Sequence, residues 1–510
     1  MKETARSQKL HQYISWGVLI LSPFLLLMIL SVCLGQNTLE ARPVWLDELC
    51  YWRSLYSWDA MGFETGFNGM FEETATIGTL GNSGLGHILI YGWFVKLFGL
   101  SHNTIMLGNA VWISLAAAVF CLVRKPKRFV ALGLSALIVG YAPIILYSVT
   151  SMTELFNYAL MLLYLTFLLL YQEKRSPWAL LLCCLTVVFG CIYRPMYAVL
   201  FIPVVMFFSR YRFGWRMVLS ALAAVALSAL CWYLGQLAAA PNAQGFPYHL
   251  IRAESFEMAW HMLLSHTKAN LLDYFHATGS IMQNAFRWMY MTLTVLCLLA
   301  SFLALERRGL KPVRVHVGFR PPFFSCFLLL VAAFALTMML YEAYDWRDYR
   351  MLAPYLWLVI AFFIARHRFT LPVCSYAACL VVLCLLVSSP EGAFTDGERF
   401  SEPIVPESLP EIVESIAYDP DAEDPFCNTI RTDVYSYALM EEIDPGMGLQ
   451  HGWFSTDTTG KSGWILTDQL KCPVTGYENV LDTGDFKLYR QISKEDCHDA
   501  TTLPQSRQAF

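Results

Sequence analysis

Charge is scarce in this chain. Of its 510 residues 15% are Asp, Glu, Lys or Arg and 56% are hydrophobic, where a soluble domain carries roughly 25% charged residues. That shortfall, with repeated apolar runs near the length of a bilayer crossing, excludes a soluble enzyme and a disordered chain. Other absences narrow the chemistry. No Gly-rich phosphate loop is present, so nothing supports a nucleotide donor, and no nucleic-acid partner is expected. No Cys-x-x-Cys or Cys/His spacing reads as zinc. No Asn-x-Ser/Thr sequon occurs, which favours a bacterial inner membrane over the endoplasmic reticulum. There is no internal repeat of the kind many transporters carry.

The net charge of −4 hides a split. From Glu391 onward lie 23 of the 40 acids and 8 of the 36 bases, a net of −15, so residues 1–389 carry +11. The sequence therefore predicts an all-α polytopic membrane domain over 1–389, an acidic Pro/Glu/Asp-rich linker over 390–425, and a small external α/β domain over 426–510. Apolar runs predict about eleven transmembrane helices, at 13–34, 103–123, 129–147, 154–171, 177–193, 196–209, 217–238, 286–305, 322–341, 351–365 and 370–388. A twelfth run, 85–98, is decided by the positive-inside rule. Lys2, Arg6 and Lys9 place the N-terminus in the cytoplasm. If 85–98 crossed, Arg124, Lys125, Lys127 and Arg128 would fall outside. If it does not, the clusters at 124–128, 174–175, 210–216, 307–320 and 366–368 all fall inside. It reads as an interfacial helix in the first external loop, and the C-terminus is then external.

Twelve of the fifteen cysteines precede residue 390, nearly all in apolar spans where they act as small hydrophobes. Cys427, Cys472 and Cys497 lie in the external tail, where one disulfide would leave one thiol over. Strand-like runs in the tail are Cys427–Arg431, Trp464–Thr467, Glu478–Leu481 and Phe486–Gln491, with a helix near 433–442 and a hairpin turn at Asp482-Thr483-Gly484-Asp485.

The first external loop contains Asp47-Glu48-Leu49-Cys50-Tyr51 directly after a hydrophobic anchor. An acidic pair at the start of an amphipathic stretch (Trp45, Leu49, Trp52, Tyr56) is more often a helix cap than a site, because acids there suit the helix dipole. Further along are KLFGLSHNTIMLG at 96–108, Tyr147 to Glu154 before a span, Tyr193-Arg194-Pro195 in a short external turn, and Asp345-Trp346-Arg347-Asp348-Tyr349-Arg350 ahead of Pro354. In order and in side of the membrane these motifs resemble the GT-C superfamily of integral-membrane glycosyltransferases, such as protein O-mannosyltransferases, lipid A aminoarabinose transferases and rhizobial galacturonosyltransferases. The chain departs from that pattern at Ser83-Gly84-Leu85, where many relatives have His-Pro-Pro, with His87 one turn later. The late motif reads Asp-Tyr-Arg where relatives have Arg-Tyr.

The resemblance implies transfer of a sugar from a polyprenyl-phosphate donor to an acceptor hydroxyl on a glycan, lipid or protein, at the external face. Such a transfer needs a base near the acceptor and positive charge near the departing phosphate. Asp47 is then the base, with Glu48 either orienting it or contacting the acceptor. Arg194, Arg347 and Arg350, with Tyr51 and His87, are the substrate- and phosphate-binding candidates, since guanidinium grips phosphate bidentately. Pairing of the late arginines with Asp345 or Asp348 is the structural alternative. The resemblance leaves a cofactor open, since some members of the superfamily use a metal and others do not. Glu154 with Asp47 would be the place for a divalent Mg or Mn, if one is used. The rival readings are a lipid-linked glycan polymerase or ligase, and a polytopic transporter or flippase.

Overall fold

The computed structural model describes residues 2–63, 68–70, 84–236, 246, 250–276, 281–306, 314–341, 350–366, 399–401, 407–416, 418–422, 425–434, 436–451, 462–468 and 476–492. The chain divides into two compact units that do not follow chain order. One comprises Met1–Arg42, Ser101–Leu237 and Gln244–Ser401; the other comprises Pro43–Leu100, Ala238–Ala243 and Glu402–Phe510.

The first unit is a bundle of apolar helices. Its long members are α1 (Lys2–Leu34), α4 (Thr104–Arg124), α7 (Glu154–Lys174), α10 (Trp215–Gln236), α12 (Ile281–Phe302) and α13 (Pro321–Leu340). Among the described residues these are the six helices long and apolar enough to cross a membrane. Together they make the chain an integral membrane protein. Shorter helices fill the bundle: α5 (Arg128–Gly140), α6 (Ala142–Tyr147), α8 (Pro177–Tyr193), α9 (Phe201–Phe208) and α14 (Ala353–Ala365). The run read as one span over 129–147 is broken at Tyr141, because Pro143 has no N–H to continue the ladder. The run at 196–209 begins as a 3-10 turn, Pro195–Leu200. Between the spans expected at 217–238 and 286–305 lies a helix α11 (Phe256–His276), which exposes Phe256 and Trp260. A two-stranded ribbon, β2 (Leu303–Glu306) against β3 (Arg314–Val317), joins α12 to α13 and was not expected. The predicted span 370–388 lies outside the described residues.

Helix α7 is the most enclosed of the six, with 83% of its apolar window buried, against 6% for α10. Its middle, Tyr158 to Tyr171, is apolar nearly all round, as a central helix must be. α10 can still approach α8 closely because residue 235 is Gly: a Cβ there would lie 2.5 Å from the Ile192 carbonyl oxygen.

Arg124, Arg175 and Arg366 lie together at one end of this bundle. Gln12 and Trp16 of α1 donate to the Pro126 carbonyl at 2.9 Å. Arg124 pairs with Glu173, Arg175 donates to the Phe207 carbonyl, and Arg366 donates to Gln172. The opposite end holds Glu154, Arg194 and the junction of residues 39 and 102. There Asn103 Nδ2 donates to the Leu39 carbonyl at 2.6 Å and His102 Nε2 lies 3.3 Å from it. The chain thus leaves the bundle after α1 and returns before α4 at the same end. Helix α3 (Gly84–Phe98) belongs to the other unit.

The second unit joins the first loop to the tail. Helix α2 (Leu46–Met61) packs on α3, and Gly92 makes the contact close, since a Cβ there would meet the Trp58 ring at 2.9 Å. The sheet is six-stranded: β1 (Asn68–Met70), β4 (Thr429–Thr432), β5 (Gly448–His451), β6 (Trp464–Thr467), β7 (Tyr477–Asp482) and β8 (Lys487–Gln491), in the order β1-β5-β4-β6-β8-β7. The first four in that order run parallel and the last two pairings are antiparallel. Parallel strands are covered on both faces, which is why β4 and β6 are buried at every position. The predicted tail strands and hairpin turn match β4, β6, β7 and β8. Strands β1 and β5 were not predicted. Two short helices accompany the sheet, α15 (Leu409–Ser415) and α16 (Tyr437–Glu442). Cys427 is exposed and unbridged, while Cys472 and Cys497 lie outside the described residues.

Candidate active site

The acidic pair sits in the first turn of α2. Glu48 is fully buried, and its Oε2 accepts the backbone N–H of Trp45 at 2.9 Å and of Val44 at 3.0 Å. These are donors that a helix start leaves without partners, so Glu48 is the cap of its own helix. Asp47 beside it is half-buried. The two carboxylates therefore play different parts. One closes the helix, and the other sits in a first turn where the helix dipole favours negative charge.

One turn on, Tyr51 is half-buried. Its carbonyl accepts from His87 Nε2 at 2.9 Å, and the two rings lie 5.3 Å apart. His87 is fully buried, and burial pushes its imidazole down to about 4, against the opposing pull of the Tyr51 carbonyl. It is neutral at pH 7, with the proton on Nε2 and with Nδ1 lacking a partner among the described residues. A neutral, enclosed imidazole brings no charge to a phosphate; His87 instead ties α3 to α2.

Sequence reasoning missed Arg53, the residue that fastens α2 to the tail. It is 1% exposed. Its Nη1 donates to the carbonyls of Met440 and Ile443 at 2.8 and 2.7 Å, and its Nη2 to those of Asp444 and Met447. The acceptors lie at and beyond the C-terminal end of α16, where carbonyls lack helical partners. Burial lowers the guanidinium to about 10, so it stays charged at neutral pH. Ser57 donates to the Pro445 carbonyl at 2.7 Å, and the Trp52 ring meets the Tyr437 ring at 4.9 Å. The only sequence signal was a lone basic residue inside an amphipathic stretch.

In the bundle unit, Glu154 is the first residue of α7 and Arg194 caps the end of α8. Glu154 is 1% exposed, and its Oε1 lies 2.6 Å from Arg194 Nη2. Tyr193 donates to the Thr153 hydroxyl, and the Arg194 guanidinium stands 5.1 Å from the Tyr193 ring centre. One turn deeper on α7 is Asn157, fully buried. Glu154 Oε2 and both amide atoms of Asn157 have no hydrogen-bond partner among the described residues. Buried polar atoms without partners are rare in native structures and mark a place for a ligand or ordered water. In a chain so poor in charge, a buried ion pair at the end of a membrane helix is a functional signal. Asn157 was not legible as a site residue, because nothing distinguishes it from a lone polar residue in a span.

Arg350 is half-buried just ahead of α14. Arg347, Asp345 and Asp348 lie outside the described residues. Arg399, also missed, is fully buried in the bundle unit and donates to the carbonyls of Arg42 and Val149 at 3.2 and 3.4 Å. The structure thus places Asp47, Glu48, Tyr51 and His87 in one unit, and Glu154, Arg194 and Arg350 in the other. Among the described residues, no group of three or more His, Cys, Asp or Glu side chains gathers to hold a metal.

No family model and no curated protein matches this sequence. Among solved structures, the chain is similar to ArnT from Cupriavidus metallidurans, in a crystal structure with undecaprenyl phosphate bound. The identity is 11% and the TM-score 0.48, over 92% of this chain and 98% of that one. A likeness at that level assigns neither family nor activity.

Proposed function

We propose that the chain is a membrane glycosyltransferase. It moves a sugar from a polyprenyl-phosphate donor to an acceptor hydroxyl at the external face of a bacterial inner membrane, with the N-terminus cytoplasmic. The observation that carries this reading is the Glu154–Arg194 pair. It is buried at the end of the apolar bundle opposite Arg124, Arg175 and Arg366, and a carboxylate oxygen and a whole carboxamide beside it lack partners among the described residues. That arrangement suits a polar ligand with hydroxyl donors, such as a sugar, reached from within a membrane. The acidic start of α2 and the order of the motifs along the chain support the same reading.

Asp47 is the base that takes the acceptor proton as the sugar carbon is attacked. Glu48 keeps Asp47 in place by closing the helix. Arg194, with Arg347 and Arg350, compensates the charge that builds on the lipid phosphate. A metal held through Glu154 remains a proposal tested by chelation.

The test is transfer from a panel of labelled polyprenyl-phosphate sugars by the purified full-length protein. Asp47→Asn abolishes transfer and leaves the unfolding temperature unchanged. Unaltered turnover in that variant removes Asp47 as base, and no transfer by the wild type from any donor in the panel removes the reading.

A further inference from the structure

The end of the bundle with Arg124, Arg175 and Arg366 holds a cavity that the proposed transfer does not use. Its volume is about 320 Å³, between the start of α13 and the end of α14, and Arg320, Arg366, Phe319, Phe323, Phe362 and Phe363 line it. Phe323 and Phe363 stack with ring centres 5.6 Å apart and form an apolar wall. Arg366 is fixed in position: it donates to the Gln172 side-chain oxygen at the end of α7 and stands 5.3 Å from the Phe362 ring. The acid next to Gln172, Glu173, is engaged by two hydrogen bonds from Arg124. Among the described residues no carboxylate pairs with Arg320. The start of α13 offers little else to an anion, because Pro321 and Pro322 have no N–H.

Two guanidiniums beside stacked aromatic rings, at the end of membrane helices, suit a molecule with a phosphate at one end and hydrocarbon at the other. A small hydrated anion gains nothing from the phenylalanine wall. A zwitterionic lipid brings a cation that the arginines repel. We infer that this cavity binds the phosphate of an anionic phospholipid between Arg320 and Arg366, with its chains against Phe323 and Phe363. This site is separate from the transfer site and does not depend on that assignment.

The full-length protein in phosphatidylcholine nanodiscs is titrated with phosphatidylglycerol, and retained lipid is read by native mass spectrometry. The wild type retains phosphatidylglycerol in preference to phosphatidylcholine. Arg320→Gln weakens that retention by about tenfold to a hundredfold, the worth of a charge-assisted hydrogen bond. Arg320→Lys, which keeps the charge and loses the fork, falls between the two and serves if the Gln variant does not fold. Equal retention in wild type and variants overturns the site. Displacement of the lipid by millimolar sodium phosphate overturns its assignment to a lipid.

Discussion

Arg194 and Glu154 meet at 2.6 Å across the ends of two helices whose middle turns are almost all apolar. The pair is worth more as a unit than as parts. Removing one partner strands the other charge in a buried place, which costs about 3–5 kcal/mol. Glu154→Gln and Arg194→Gln should each lower stability by that order, and the double variant by much less than their sum. Urea unfolding of all four proteins gives the coupling term; additive losses would show that the two side chains do not depend on each other.

The imidazole of His87 predicts how stability follows pH. Its folded value is about 4, below the ordinary 6.5, so between those limits the unfolded chain binds a proton that the folded chain refuses. Stability therefore rises with pH through this window and falls as pH drops toward 4, by about 3 kcal/mol at most. His87→Gln should flatten the slope of unfolding free energy between pH 6.5 and 4. A slope unchanged by the substitution would assign it to other groups.

Arg53 predicts where the tail unfastens. Arg53→Met removes the donor to four carbonyls while keeping much of the stem, and should cost more than about 3 kcal/mol. Hydrogen exchange should quicken first at the amides of 437–447, around those acceptors. Uniform quickening over the whole chain would mean that Arg53 holds no particular segment.

Much of this architecture was legible in the sequence because it follows from periodicity and charge. The tail strands from Thr429, Trp464, Tyr477 and Lys487 show in short β-rich runs and one Asp-Thr-Gly-Asp turn. The reading of 85–98 as interfacial rests on where Lys and Arg fall along the chain. Strands β1 and β5 escaped because three or four residues with Gly and Asn carry no strand pattern; what makes them strands is each other. Arg53 and Arg399 escaped for a related reason: their acceptors are backbone carbonyls, invisible as residue types and remote in sequence. Glu48 was legible as half of an acidic pair, but its part as a cap appears only once the N–H groups of Val44 and Trp45 are seen to point at it.

The parallel pairing of Asn68 with Leu449 joins a strand near the start of the chain to one about 380 residues later. A ribosome adding about 5–20 residues per second needs roughly 20 to 75 s to cover that interval. Through that time the bundle helices are being inserted while the first loop has no strand to pair with and Arg53 has no carbonyls to bind. The loop must wait in an unfinished state for the last stretch of polypeptide. A ribosome that stalls after the bundle is complete would leave a membrane-inserted protein whose acidic helix has never been seated.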